Sequence, residues 1–110
     1  MIIIYRFKLK KFRWGKDDIK TYHSEFKPVE WSFDLEREDN CYLKIVTVKS
    51  ENEKVVGFHI LSPNAGEITQ GVALAIKMGV IKAQLDTCVG IHPTIAEVNF
   101  LILLTFNFNI

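Results

Sequence analysis

One histidine and one carboxylate stand out for the chemistry their spacing permits. In Gly90-Ile91-His92-Pro93-Thr94-Ile95-Ala96-Glu97-Val98, Glu97 follows His92 by five positions, with a proline between them. Thr94 and Glu97 have the spacing of a capping box, which predicts a helix beginning at Thr94. His92 then lies in the turn ahead of that helix, where its imidazole can face a neighbouring surface. Glu97 can cap backbone, hold the imidazole, or both. An imidazole oriented by a carboxylate is a general acid/base that works near neutral pH. On the residues alone, a loop histidine bonded to a backbone carbonyl is the more frequent arrangement. A capping carboxylate favoured by the helix dipole is likewise an ordinary use of Glu97. Pro93 fixes its own φ and biases Ile91 and His92 toward extended backbone.

The other chemistry-bearing residues point to structural roles. Cys41 and Cys88 form no C-x-x-C pair and are expected to be buried and inert. Cys88 with His92 could imitate a Cys-His nucleophile, but four residues across a glycine-containing turn match no recognised signature. His23, His59 and Cys41 lack zinc-ligand spacing, so no metal site is expected. Pro63-Asn64-Ala65-Gly66-Glu67 reads as a helix start, with Asn64 as N-cap and Glu67 at the capping-box position. Gly66 and Gly71 permit close approach of another backbone, which suits an interface.

These residues need elements to position them. Ile19 to Lys27 alternates enough for a strand, stopped by Pro28. Trp31 to Phe33 suits a short extended piece, and Asp34 to Asn40 a charged loop. Cys41 to Lys49 and Lys54 to Leu61 are the clearest strands, rich in Val, Ile and aromatics, joined by Ser50-Glu51-Asn52-Glu53. Neither is cleanly polar on one face, so both faces of the sheet are expected to be covered, one by helices and one by another chain or domain. A helix is expected from Ala65 to about Met78. Its apolar stripe is Ile68, Val72, Ala75 and Ile76, and Gly79 is its stop. A short helix follows over Lys82 to about Thr87. The class is α+β: an antiparallel sheet with helices packed on one face.

Composition bounds the function. The chain has 110 residues, enough for one domain with a real core, and 48% hydrophobic content suits a globular chain. A net charge of +1 gives no case for nucleic acid. Two cysteines fit a reducing compartment, cytoplasmic or mitochondrial. No apolar run reaches the ~20 residues of a membrane-spanning helix. Met1 to Lys16 is basic. It reads as a solvated or disordered arm, although alternation through Tyr5, Phe7 and Leu9 also allows a strand. Asn99 to Ile110 is almost wholly apolar or Asn.

Five blocks, in order, carry a resemblance: Tyr22-His23-Ser24-Glu25-Phe26-Lys27-Pro28, Cys41-Tyr42-Leu43-Lys44, Val56-Gly57-Phe58-His59-Ile60-Leu61, Pro63-Asn64-Ala65-Gly66-Glu67-Ile68-Thr69-Gln70-Gly71 and Val89-Gly90-Ile91-His92-Pro93-Thr94. Together they resemble the C-terminal dimerisation domain of the NADPH-dependent pyridine nucleotide-disulfide oxidoreductases. The likeness is strongest toward animal-type thioredoxin reductases and thioredoxin-glutathione reductases. The resemblance implies that His92 is the catalytic acid/base, reaching across a dimer to the redox cysteines and FAD of the other subunit, with Glu97 orienting it. Pro93 carries over with His92 as a neighbour of the partner's flavin. Ser62 stands where the family usually has Gly, and Ile95 is bulkier than the small or thiol residue often found there.

The resemblance covers roughly residues 14–98. Residues 1–13 and 99–110 read as non-family segments, a basic one and an apolar one, expected to come from an alternative start and a read-through exon. No two glycines have the G-x-G spacing of a dinucleotide turn, and no redox cysteine pair is present. The chain is therefore expected to be a fragment, a truncated gene model or a splice product. FAD and NADPH belong to the full-length enzyme, and the chain alone is expected to bind neither. Its partner would be a second copy or a full-length reductase subunit. Thioredoxin or glutathione-type disulfides would be met through the complete enzyme. The alternative function is a stand-alone interaction protein that binds such a reductase.

Overall fold

A computed structural model of the chain describes residues 2–6, 14–28 and 40–97. Four strands, β1 (Ile2–Arg6), β2 (Ile19–Phe26), β3 (Cys41–Val48) and β4 (Lys54–Leu61), form one antiparallel sheet in the order β1-β4-β3-β2. Two helices follow, α1 (Ala65–Lys77) and α2 (Lys82–Asp86). The α+β class and its antiparallel sheet are as expected. Trp31 to Phe33 and Asp34 to Asp39 lie outside the described residues, as do residues 98–110.

Register decides which side chains meet. Tyr22 pairs with Ile45, which pairs with Phe58, and Leu43 pairs with Ile60. Directly paired residues share a face, so these five form one apolar surface. Phe58, Leu43, Ile45 and Ile60 are fully buried. Each contributes about 1.5–3 kcal/mol of apolar burial. Ala65 and Ile76 of α1 and Leu85 of α2 complete this core, with Ile68 and Val72 packed against it. Both helices therefore cover the same face. The opposite face carries Thr21, His23, Tyr42, Lys44, Val46 and His59, all half-buried. The register shifts between Val46 and Thr47, leaving Val56 of β4 as the bulged residue.

The N-terminal alternation resolves as a strand. Ile2–Arg6 pairs with Leu61 to Gly57, so this part of the basic segment is an edge strand and not a disordered arm. The residues from Phe7 to Arg13 lie outside the described ones.

Helix α1 ends as its sequence predicts. Gly79 adopts φ +86°. Its N–H donates to the Ile76 carbonyl at 3.0 Å, and the Val80 N–H donates to the Ala75 carbonyl at 3.1 Å. This is a Schellman closure, and its left-handed residue is glycine because a Cβ would strain there. The start of α1 corrects an expectation. Asn64 is left-handed, with φ 55°, and its side chain makes no capping bond. A side-chain cap goes with extended backbone at this position, and Asn64 does not adopt it. Thr69, on the buried stripe, satisfies its hydroxyl by donating to the Ala65 carbonyl at 2.6 Å.

After Gly79 the chain runs beside the start of β4. The Val55 N–H donates to the Val80 carbonyl at 2.9 Å, and the Lys82 N–H to the Glu53 carbonyl at 3.0 Å. Gln84 Oε1 accepts the Ile81 N–H at 3.0 Å and starts α2. This docking fixes α2, and α2 delivers the chain to Gly90.

Candidate acid/base site

Residues 88–97 form a closed turn after α2. The Thr94 hydroxyl donates to the Ile91 carbonyl at 2.6 Å and accepts the Glu97 N–H at 3.2 Å. One side chain thus ties the two ends of the turn. Ile95 is buried and anchors it. The His92–Pro93 peptide bond is cis. The helix expected at Thr94 is not formed through Glu97, where the backbone is a turn. Half of the capping box is present, the Thr94 bond to the Glu97 N–H. The Glu97 carboxylate turns instead to the imidazole.

His92 Nδ1 lies 3.0 Å from Glu97 Oε1 and 3.2 Å from Oε2. An ionised carboxylate only accepts, so Nδ1 carries the proton of this bond. In the neutral ring the lone pair is then on Nε2, which has no partner among the described contacts. The His92 side chain is 74% exposed and Glu97 13%. The carboxylate is tucked in, while the imidazole stands largely in the open. Val89 and Ile91, both strongly exposed, flank it with apolar surface. The two residues that sequence spacing nominated are therefore brought together. Pro93, exposed between them, shapes the turn.

The cysteines divide. Cys41 is buried as expected, but Cys88 is exposed, its Sγ donating to the Gln84 carbonyl at 3.3 Å. It sits just past the end of α2, beyond the core that Leu85 closes, so burial does not reach it. Among the described residues no group of three or more His, Cys, Asp or Glu could hold a metal.

A second polar cluster supports the base of α2, and local spacing gave no signal of it. Glu53 has φ 54° and follows Asn52 at φ 57°. Its carboxylate accepts from Lys20 Nζ at 2.7 Å and from the Tyr22 hydroxyl at 2.5 Å. Burial pushes Glu53 up, but those two hydrogen bonds together with the charges of Lys20 and Lys82 outweigh it and hold its carboxyl below the usual value. The Glu53 hydrogen bond raises Lys20. Burial, followed by the Glu53 bond, raises Tyr22. Lys82, nearly buried, pairs with Asp86 and stands 4.6 Å from the centre of the Tyr22 ring. The alternation of β2 signals Tyr22 as a core residue, but no spacing rule joins it to Glu53, 31 positions away.

Residues 10–99 match the family model for the pyridine nucleotide-disulphide oxidoreductase dimerisation domain. The chain belongs to this family. It is a dimerisation domain of the thioredoxin reductase type. It is 53% identical over 83 residues to thioredoxin reductase SEP1 of Emiliania huxleyi, covering 76% of this chain and 17% of that protein. Two thioredoxin reductases of Plasmodium falciparum, isolates FCH-5 and 3D7, are each 40% identical over 98 residues, covering 76% of this chain and 18% and 16% of theirs. The dimerisation domain thus spans about a sixth of the length of these relatives. No helix among its described residues is long and apolar enough to cross a membrane.

Proposed function

We propose that this dimerisation domain, taken over residues 14–98, supplies His92 in trans as the acid/base of an NADPH-dependent flavoprotein disulfide reductase, with Glu97 as its orienting carboxylate. The observation that carries the reading is the fixed Nδ1 and the open Nε2 of His92. In the complete enzyme, FAD held outside this domain would supply the electron transfer from NADPH to a cysteine pair. The work of this domain is the proton. When a thiolate attacks a disulfide of the thioredoxin or glutathione type, the departing sulfur leaves as a thiolate and takes the proton from His92 Nε2. Glu97 stabilises the imidazolium before that transfer and keeps Nδ1 protonated after it. The exposed apolar flank of Val89 and Ile91 suits a site that a partner's flavin and cysteines complete.

The self-association surface belongs on the outer side of α1. Gly71, Leu74 and Met78 are exposed at positions one and two turns apart, so they form one ridge. A two-fold interface is self-complementary, and such a ridge can pack on its own copy. The 1–13 and 99–110 segments flank this unit, the first adding β1 to its sheet.

The test is a graft. Residues 14–98 replace the corresponding segment of the Emiliania huxleyi thioredoxin reductase, and NADPH-driven disulfide reduction is measured. An active chimera that loses roughly 10²–10⁴-fold in kcat on His92→Gln is expected for a general acid/base. A chimera that dimerises, binds flavin and turns over equally well with His92→Gln would overturn the reading. The alternative, a stand-alone protein that binds a reductase subunit, predicts instead that the 110-residue chain lowers the activity of an intact reductase on titration.

A further inference from the structure

We propose that Gly90 is the positioning residue of the His92–Glu97 pair, admitting the Glu97 backbone to the distance at which its carboxylate reaches the imidazole. The inference takes its consequence for catalysis from the acid/base reading above, but its geometry stands without it. A Cβ built on Gly90 would lie 2.9 Å from Glu97 Cβ, 3.4 Å from Glu97 Cα and 3.8 Å from the Glu97 carbonyl oxygen. Carbon atoms in good contact stand about 3.5–4.0 Å apart. The obstructing atoms belong to the root of the Glu97 side chain and to its backbone, which cannot swing aside as a flexible tip could. Space, not backbone conformation, calls for glycine here, since Gly79 is the glycine with positive φ.

The rest of the turn leaves little room to compensate. The Thr94 hydroxyl holds the Ile91 carbonyl and the Glu97 N–H together, and Ile95 is buried between them in sequence. Glu97 is therefore closed onto the chain from two directions, by Thr94 and by contact with Gly90. Of the two Nδ1 distances, 3.0 Å is an ordinary hydrogen bond and 3.2 Å lies at the outer end of the range. A Cβ at Gly90 displaces the root of the Glu97 side chain, and that displacement lengthens or misaligns the bond to Nδ1. The imidazole then holds less firmly the acceptor that fixes its tautomer.

The experiment reads the tautomer directly. Long-range proton–nitrogen NMR of His92 in the 110-residue chain, at a pH where the ring is neutral, separates the Nδ1–H form from the Nε2–H form. Wild type is expected to hold Nδ1–H as the major form and Glu97→Ala as the minor one. Gly90→Val is expected to resemble Glu97→Ala, and the double variant to add nothing further. Amide spectra check that Gly90→Val remains folded. If it does, an unchanged Nδ1–H population overturns the proposal. If it does not, Gly90→Ala decides: a partial fall in Nδ1–H supports positioning by Gly90, and an unchanged spectrum overturns it. Turnover of the grafted reductase is read separately, so the acid/base reading and the positioning role can fail independently.

Discussion

The Tyr22 hydroxyl donates to Glu53 Oε2 at 2.5 Å, and through that bond the second strand holds a turn that lies 31 positions further along the chain. Glu53 in turn accepts the Lys82 N–H with its backbone carbonyl. One residue in left-handed backbone thereby joins the sheet, the β3–β4 turn and α2, the helix that leads to the His92–Glu97 turn.

Glu53 gives the fold an acid-sensitive contact. Its folded carboxyl titrates below its ordinary value of 4.5. The unfolded state therefore binds the proton more readily. Its stabilisation is full above about 4.5 and is lost as pH falls through the folded value. Glu53→Gln should lower stability at neutral pH by about 1–2 kcal/mol, since the group is only half-buried. The same substitution should flatten the acid limb of a denaturation profile. Equal acid sensitivity in wild type and variant would refute the assignment.

Gly79 should resist replacement for a conformational reason alone. A Cβ there would meet Lys54 Cε only at 3.7 Å, an ordinary contact, while φ is +86°. Gly79→Ala is expected to cost about 1–2 kcal/mol in chemical denaturation through backbone strain. A loss well below that would mean that the helix ends differently.

The α1 ridge predicts the oligomeric state. Leu74→Asp together with Met78→Asp places charge on exposed positions, so folding should be almost unaffected while self-association is lost. Sedimentation equilibrium of both forms reads this out. A variant that still dimerises with wild-type affinity would move the interface elsewhere.

Thr94 should support the site without touching substrate. Thr94→Val removes the bonds to the Ile91 carbonyl and the Glu97 N–H. On an exposed turn this weakens closure by about 0.5–1.5 kcal/mol. The Nδ1–H tautomer of His92 should fall in proportion, with little change in global melting temperature. A large loss of global stability instead would make Thr94 a folding residue.

Much of the fold was legible because its signals are local. Richness in Val, Ile and aromatics marked strands over Cys41 to Lys49 and Lys54 to Leu61, the apolar stripe marked α1, and Gly79 marked its end within a residue or two. His92 and Glu97 were legible as a pair because five residues of turn can close on themselves. The helix start was misread at Asn64, where a left-handed residue took the place of a side-chain cap. Cys88 was misjudged because composition describes how cysteines usually pack, not where α2 leaves the core.

Periodicity and spacing within a few residues fixed the strands, α1 and the identity of the acid/base candidates, since each depends on neighbours in the chain. The Glu53 cluster and the docking of α2 beside β4 depend on how distant segments align. Strand register, the shift between Val46 and Thr47 and the packing of helices on one face set those distances, and none of these is encoded in a local pattern.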